Sequence, residues 1–560
     1  MLIRVIFFLN FFICFSQESI LLDSLNSNYH YLEHSEYTYE INNLGDPIIS
    51  FVKKTPVNNF LLNHTSQEVR KIDFLKKGYT IKKDTIWSYI SYQSSYSMGG
   101  LLNTFLTRPI GKNMRLVFNY NNLSSEGFYN NQHNKYSNLF LQLDFTKPEL
   151  YSCSFFGSSL NAQYEQFGGL SLYDNTVSTN LLGVYLQSAQ TMIKNRFLKF
   201  SQTYFLKSDL KLKHDFNWST FYREYVDPLP LSSFYYSLTP LDYLIVSDYN
   251  LNTFLYTISN EVSIDNTKLK FAIKHNYYNT NDLIKNDIRG DFVTSLSSIN
   301  SLKENNKSFN FLLAFCPIGY NKNNYLVDLK FNKKSQYFNN TFITHFSTKK
   351  PHFFREHYNN FQNWNWSDFE SSSFLSFKIQ SVLKNIHLKS KISVNRISRF
   401  FYFNELASPS QLTEPLVYIQ MELKKDFLFK DISLNSAICL QYSDNNALSV
   451  PLIFYYQKIN YHRVILSDIK LNASFSGYLF SKYFPNTFFP LTDVFYNQTE
   501  NKSLVKPFLS SSIYIAKKNF SVGLIFDNVQ NIVLEESYFI DSYQLPSPTI
   551  RFSVQWLFLD

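Results

Sequence analysis

Short segments in which apolar and polar residues alternate recur from about residue 87 to the end of the chain. Beyond the N-terminal stretch, no uncharged apolar run reaches the ~18 residues that a membrane-spanning helix needs. A strand sends successive side chains to opposite faces, so each such segment has one greasy face and one wet face. In the closing stretch "PTIRFSVQWLFLD", Ile550, Phe552, Val554, Trp556 and Phe558 share one parity. Thr549, Arg551, Ser553 and Gln555 share the other. Met114, Leu116, Phe118 and Tyr120 alternate in the same way with Arg115, Val117 and Asn119. "KLKFAIKHNY" sets Leu269, Phe271, Ile273 and Tyr277 against Lys270, Ala272, Lys274 and Asn276. The pattern returns in residues 325–332, 376–381, 386–394, 465–475 and 520–526. One segment alone would suit a soluble sandwich, which hides its greasy face under a second sheet. Many of them, about 9–11 residues long and separated by turns and uneven loops, describe a transmembrane β-barrel. The last strand then needs no protein over its aromatics, because lipid covers them.

Composition supports the same class. Charged residues make up 17% of the chain, below the roughly 25% of a soluble domain. Aromatics reach 18%, yet mean hydropathy is slightly polar at -0.22. That combination suits alternating strands better than apolar helices. The expected fold is all-β, a transmembrane antiparallel barrel. At roughly 25–30 residues per strand and connection, it would have about sixteen strands, with fourteen to eighteen in range, and an aqueous channel.

The N-terminus predicts export. Arg4, a short apolar run over residues 5–15 and Ser16 resemble a secretory signal over residues 1–16, too short to span a membrane. Residues 17–86 are irregular and polar, and read as a periplasmic or lumen-resting segment. Residues 87–560 form the barrel. Cys153, Cys316 and Cys439 are far apart and lie in strand-like runs, so they read as packing residues, not as a disulfide or metal framework.

Catalytic signatures are missing. Only 14 glycines occur in 560 residues, against a usual frequency of about 7%, and neither a dinucleotide fingerprint nor a phosphate loop is present. No nucleophile elbow appears. His352, Glu356 and His357 in "HFFREHY" lack the spacing that puts two imidazoles on one helical face. The net charge of +9 is dispersed along strands instead of gathered into a nucleic-acid patch. The sequence points to no catalytic residue, cofactor or metal ligand, and to no nucleic acid partner.

Several stretches are similar to a known group. These are "NLGDP" near the mature N-terminus, the "S-x-G-x-Y-x-N-Q"-like loop within residues 119–138, and "REHYNNFQNWNW". "LSVPLIFYYQ", "PFLSSSIYIAKKNFSVGLIFDNV" and "RFSVQWLF" follow near the end. Together they resemble the "putative porin" family of Bacteroidetes outer membranes, across most of the mature chain. The tail departs from the pattern, since Leu559 and Asp560 follow Phe558. The resemblance implies an outer-membrane barrel and diffusion channel, and it implies no catalytic residues.

The functional expectation is therefore a porin-like channel for passive diffusion of small hydrophilic solutes. The alternative is a structural or surface-interaction barrel with a blocked lumen. A large plugged transporter is disfavoured, because residues 17–86 look short and poor in glycine for a plug. Expected partners are outer-membrane lipid, the barrel assembly machinery during biogenesis, and the solutes. Candidate lipid-facing residues are Leu116, Phe118, Phe271, Phe552, Trp556 and Phe558. Candidate pore-lining residues are Arg115, Lys199, Lys270, Lys274, Lys330, Lys378, Lys389, Lys391, Lys470 and Arg551. With Lys211, Lys213, Lys268 and Lys424, these basic groups outnumber Asp144, Asp215, Asp328, Glu422 and Asp468 on the same face. Such a lumen would favour anions mildly.

Overall fold

The computed structural model describes residues 37–53, 78–79 and 87–558, apart from short internal stretches. Those stretches are 172–180, 208, 231–233, 236–248, 283–285, 300–301, 305, 352–368, 467, 504–505, 534–537 and 541. The signal expected over residues 1–16, the "HFFREHY" and "NWNW" motifs and Leu559–Asp560 lie outside the described residues.

From Trp87 onward the chain forms one closed antiparallel barrel. Each strand pairs with its sequence neighbours, and Thr549–Phe558 closes on Trp87–Ser94 from Ser553↔Gln93 to Phe558↔Ser88. Among the described residues the barrel has 22 strands, not about sixteen. The short piece Leu302–Glu304 continues the strand Asn286–Ser298, and both pair with Lys307–Gly319. The count was underestimated because several of the alternate connections are tight turns made without glycine. Lys430, Lys518 and His387 carry them at φ 43, 50 and 50°, a region that side chains other than Gly, Asn and Asp seldom enter. Strands and turns therefore use fewer residues per unit than the sequence suggested.

The two ends of the barrel differ. One end carries tight turns such as 430–431 and 518–519, and the other carries loops such as 166–189, 399–415, 481–507 and 528–548. Outer-membrane barrels put short turns in the periplasm and long loops outside. The long-loop end is thus the outer mouth.

Alternation sorts the side chains. Phe271, Phe552 and Trp556 are among the exposed hydrophobics of the outer face, opposite exposed neighbours such as Ile264, Leu524 and Phe520. Phe558 stacks on Trp556 at 5.0 Å. Leu116 and Phe118 share the parity of exposed Met114, while Arg115, Val117 and Asn119 between them are buried. Phe118→Lys should therefore cost about 2–4 kcal/mol near the bilayer midplane. Asn332→Lys, at a half-exposed lumen-facing position, should cost far less. Urea titration of the heat-modifiable barrel measures both, and equal losses would contradict the assigned faces. Among the described residues no helix is long and apolar enough to cross a membrane.

Candidate functional site: the closed outer mouth

The lumen is not an open tube at its outer end. Residues 37–53 form a strap within it, built around a small hairpin of Thr38–Glu40 and Ile48–Ser50. Phe51 is fully buried and stacks on Phe454 at 5.3 Å and Phe480 at 4.8 Å, both on inward-facing positions of barrel strands. Phe539 from the loop 528–548 lies 5.4 Å from Phe51 and 4.1 Å from Phe508. Tyr39 donates to Asn528 Oδ1 at 3.3 Å. Burial, with Tyr96 and Asp527 nearby, holds its phenol well above the ordinary tyrosine range, so it stays a donor.

The turn of the strap is "NLGDP", and it docks into the loop motif "SEGFYNNQ" at 125–132. Asn43 is fully buried and reads that loop on both sides of its amide. Its Nδ2 donates to the Ser125 carbonyl at 3.2 Å and the Gln132 carbonyl at 2.8 Å, and its Oδ1 accepts from the Ser125 hydroxyl at 2.6 Å. Gln132 returns the contact through Nε2 to Asn42 Oδ1 at 2.7 Å. Asn134 Nδ2 donates to the Leu44 carbonyl at 3.0 Å and to Asp46 Oδ1 at 2.7 Å. Asp46 Oδ2 closes the turn by accepting from the Asn43 amide at 2.9 Å.

Two glycines make this fit possible. Gly45 sits at φ +85°, where a Cβ would meet Leu123 at 3.1 Å. Gly127 sits at φ +74°, where a Cβ would lie 2.3 Å from Gln132 Oε1 and 2.9 Å from Asn43 Nδ2. Only glycine enters that backbone region without cost. The two motifs were legible as motifs, but nothing in their spacing showed that they touch.

A second contact holds the strap to another wall. The Tyr37 hydroxyl donates to Glu422, and the Lys424 ammonium lies 4.6 Å from the Tyr37 ring centroid. Loops complete the closure. Arg223 Nη2 donates to the Pro490 and Leu491 carbonyls at 2.7 and 2.9 Å, drawing the loop 481–507 down onto the inner wall.

The ten candidate pore residues all have the lumen-facing parity of their strands, but many are already paired. Lys199 meets Asp215 at 3.6 Å, Lys270 meets Glu261 at 2.6 Å and Lys391 meets Glu422 at 3.4 Å. Lys389 meets Asp426 at 3.3 Å, and buried Arg551 meets Asp527 at 2.6 Å. Arg115 is buried and donates to Thr107 Oγ1 at 3.2 Å. Lys274 and Lys378 are half-buried, and Lys330 and Lys470 are exposed. Lys268 lies in a turn, not on a strand face. The sequence count missed Glu261, Asp265, Asp426 and Asp527, so the expected excess of positive charge is about halved. Among the described residues no cluster of His, Cys, Asp or Glu could hold a metal ion.

The family described as "Putative porin" matches residues 12–560. The chain belongs to that family. No curated protein matches its sequence. Solved structures share the fold of this porin-family barrel at low identity. A ferric enterobactin receptor, PfeA, from Pseudomonas aeruginosa is 9% identical with TM-score 0.60, covering 85% of this chain and 81% of that one. The siderophore receptor PirA from Acinetobacter baumannii is 11% identical with TM-score 0.59, covering 86% and 81%. The FrpB iron transporter from Neisseria meningitidis is 9% identical with TM-score 0.61, covering 85% and 83%.

Family and fold are those of a bacterial outer-membrane barrel, not of an enzyme. They also correct the functional expectation. Passive, mildly anion-selective diffusion presumed a porin of about sixteen strands. This barrel has 22, its structural neighbours are receptors and transporters, and its outer mouth is filled by its own chain. The strap is short and poor in glycine, as expected, yet it fills the mouth because loops supply the rest of the closure.

Proposed function

We propose that this protein is a gated uptake barrel, closed at rest by its N-terminal strap and opened when a bound solute or a partner draws the strap away. The observation that carries this reading is the interlock of residues 42–46 with residues 125–134. A structural hairpin could be held by any apolar contact. A turn read through five buried amide and carboxylate side chains has two discrete states, docked or released. Such bistable elements are what gating requires. The solved neighbours support the reading: one is a ferric-catecholate import receptor, one a copper transporter and one a siderophore receptor. On this reading, the basic lumen residues and their carboxylate partners line the transit path, and the outward aromatics hold the barrel in lipid. Residues 1–16 direct export, and the alternating aromatics of the last strand address the chain to the assembly machinery.

Gly127→Val tests the gate in cells. A β-branched residue at φ > 0 costs about 1–2 kcal/mol in backbone strain alone, and its Cβ also displaces Gln132 and Asn43 from the clasp. Cells carrying the variant should become sensitive to a bulky hydrophilic antibiotic such as vancomycin, while equal amounts of wild type leave them resistant. Wild type that sensitises cells as much as the variant would overturn the closed resting state.

A further inference from the structure

The outer mouth contains a cleft that the clasp does not use. It lies between the loops 399–415, 444–452 and 481–507 and has a volume of about 690 Å³. A second hollow of about 290 Å³ adjoins it and shares the wall of Tyr402, Leu448, Tyr483 and Asn497. Strap residues Ile48, Ile49, Ser50 and Lys53 line that second hollow. A molecule held in this paired cleft would therefore rest against the segment that closes the barrel.

The lining decides what kind of molecule that is. Amides are numerous, and except at Asn446 most of their hydrogen bonds are committed to the loops. Asn404 Oδ1 accepts from the Leu406 and Ser408 amides, and its Nδ2 donates to Ser410. Asn497 Nδ2 donates to the Asn446 carbonyl, and Gln498 Nε2 donates to the Pro485 and Asn501 carbonyls. Gln441 is held between the Phe51 carbonyl and the Tyr418 hydroxyl. Few donors and acceptors remain for the many hydroxyls of a sugar. What stays available is ring surface and positive charge. Lys482 and Lys502 are exposed in the cleft with no ion pair among the described residues, and the Lys502 ammonium lies 5.0 Å from the Phe484 ring centroid. The one cleft carboxylate, Glu405, accepts from Thr499 Oγ1 at 2.8 Å.

We infer that this cleft binds a negatively charged aromatic solute, with its ring against Tyr402 and Phe484 and its anion between Lys482 and Lys502. The inference rests on the gated-uptake reading for its purpose, since binding over the strap is where a cargo would be sensed, but not for its geometry. A ring can stack on the aromatic walls, and an ammonium–carboxylate hydrogen bond is roughly twice as strong as a neutral one.

Isothermal titration of the full chain in neutral detergent micelles tests it. The probes are 1-naphthoate, its uncharged counterpart 1-naphthamide, glucuronate and inorganic phosphate. Naphthoate should bind wild type about fivefold more tightly than naphthamide, because two exposed ammonium groups favour the anion modestly. The double variant K482Q/K502Q, checked for heat-modifiable folding, should lose that preference. Equal binding of naphthoate and naphthamide by wild type would overturn the inference. So would a preference that the double variant keeps, or tighter binding of glucuronate or phosphate. The wild-type probe comparison stands even if the variant fails to fold. Titration is done on the closed barrel, so failure of naphthoate to bind leaves the antibiotic result untouched. Failure of the antibiotic result likewise leaves the binding result untouched.

Discussion

Asn43→Leu should release the strap while leaving the barrel folded. Leucine has the same heavy-atom branching as asparagine but offers no donor or acceptor. The Ser125 and Gln132 carbonyls and the Ser125 hydroxyl would then lose their Asn43 partner in a buried site. A buried polar group left unsatisfied costs about 1–3 kcal/mol. Two such groups would shift the docked–released equilibrium by about a hundredfold or more. The strap amides report the change, because Ile41 donates to the Pro47 carbonyl and Phe51 to the Tyr37 carbonyl in the docked hairpin, and an isolated two-stranded hairpin is marginally stable in water. Hydrogen exchange at Ile41 and Phe51 should accelerate by about two orders of magnitude, with barrel amides unchanged. Exchange at wild-type rates would show that the clasp does not hold the strap.

Deleting the chain from Trp556 onward should abolish the folded barrel. The closing seam consists of six residue pairs between Ser553↔Gln93 and Phe558↔Ser88, and the deletion removes Trp556, Leu557 and Phe558 from it. Their partners Ile90, Tyr89 and Ser88 would present unpaired backbone groups to lipid, each costing several kcal/mol. The outer aromatic pair Trp556–Phe558 goes with them. Quantifying heat-modifiable protein in purified outer membranes should show little of the truncated chain. Normal amounts of folded barrel would mean that the seam closes without its last residues.

Strand parity was legible because a lipid-facing strand leaves its full alternation in the sequence. Phe552 and Trp556 point out, and Arg551, Ser553 and Gln555 point in, as the closing stretch suggested. The strand count was not legible for two physical reasons. Lys430 and Lys518 make turns at positive φ without the glycine or Asn-Gly that marks a hairpin. Compact hairpins such as Phe508–Lys517 with Phe520–Asp527 also fit two strands into a stretch shorter than the spacing assumed for one. The charge of the lumen was misjudged because Glu261 and Asp265 belong to a strand, Tyr249–Asp265, whose alternation is blurred by Thr, Ser and Asn. The clasp was hidden for another reason. Asn43 and Gln132 are 89 residues apart, and a docking between two loops leaves no periodic trace in either.

The central claim is that the chain closes its own barrel. Single-channel recording in planar bilayers compares wild type directly with a chain lacking residues 37–53. Wild type should insert with almost no sustained conductance, and the shortened chain should show a large, steady conductance from the same 22-strand wall. Wild-type channels that stand open with the conductance of the shortened chain would contradict the account.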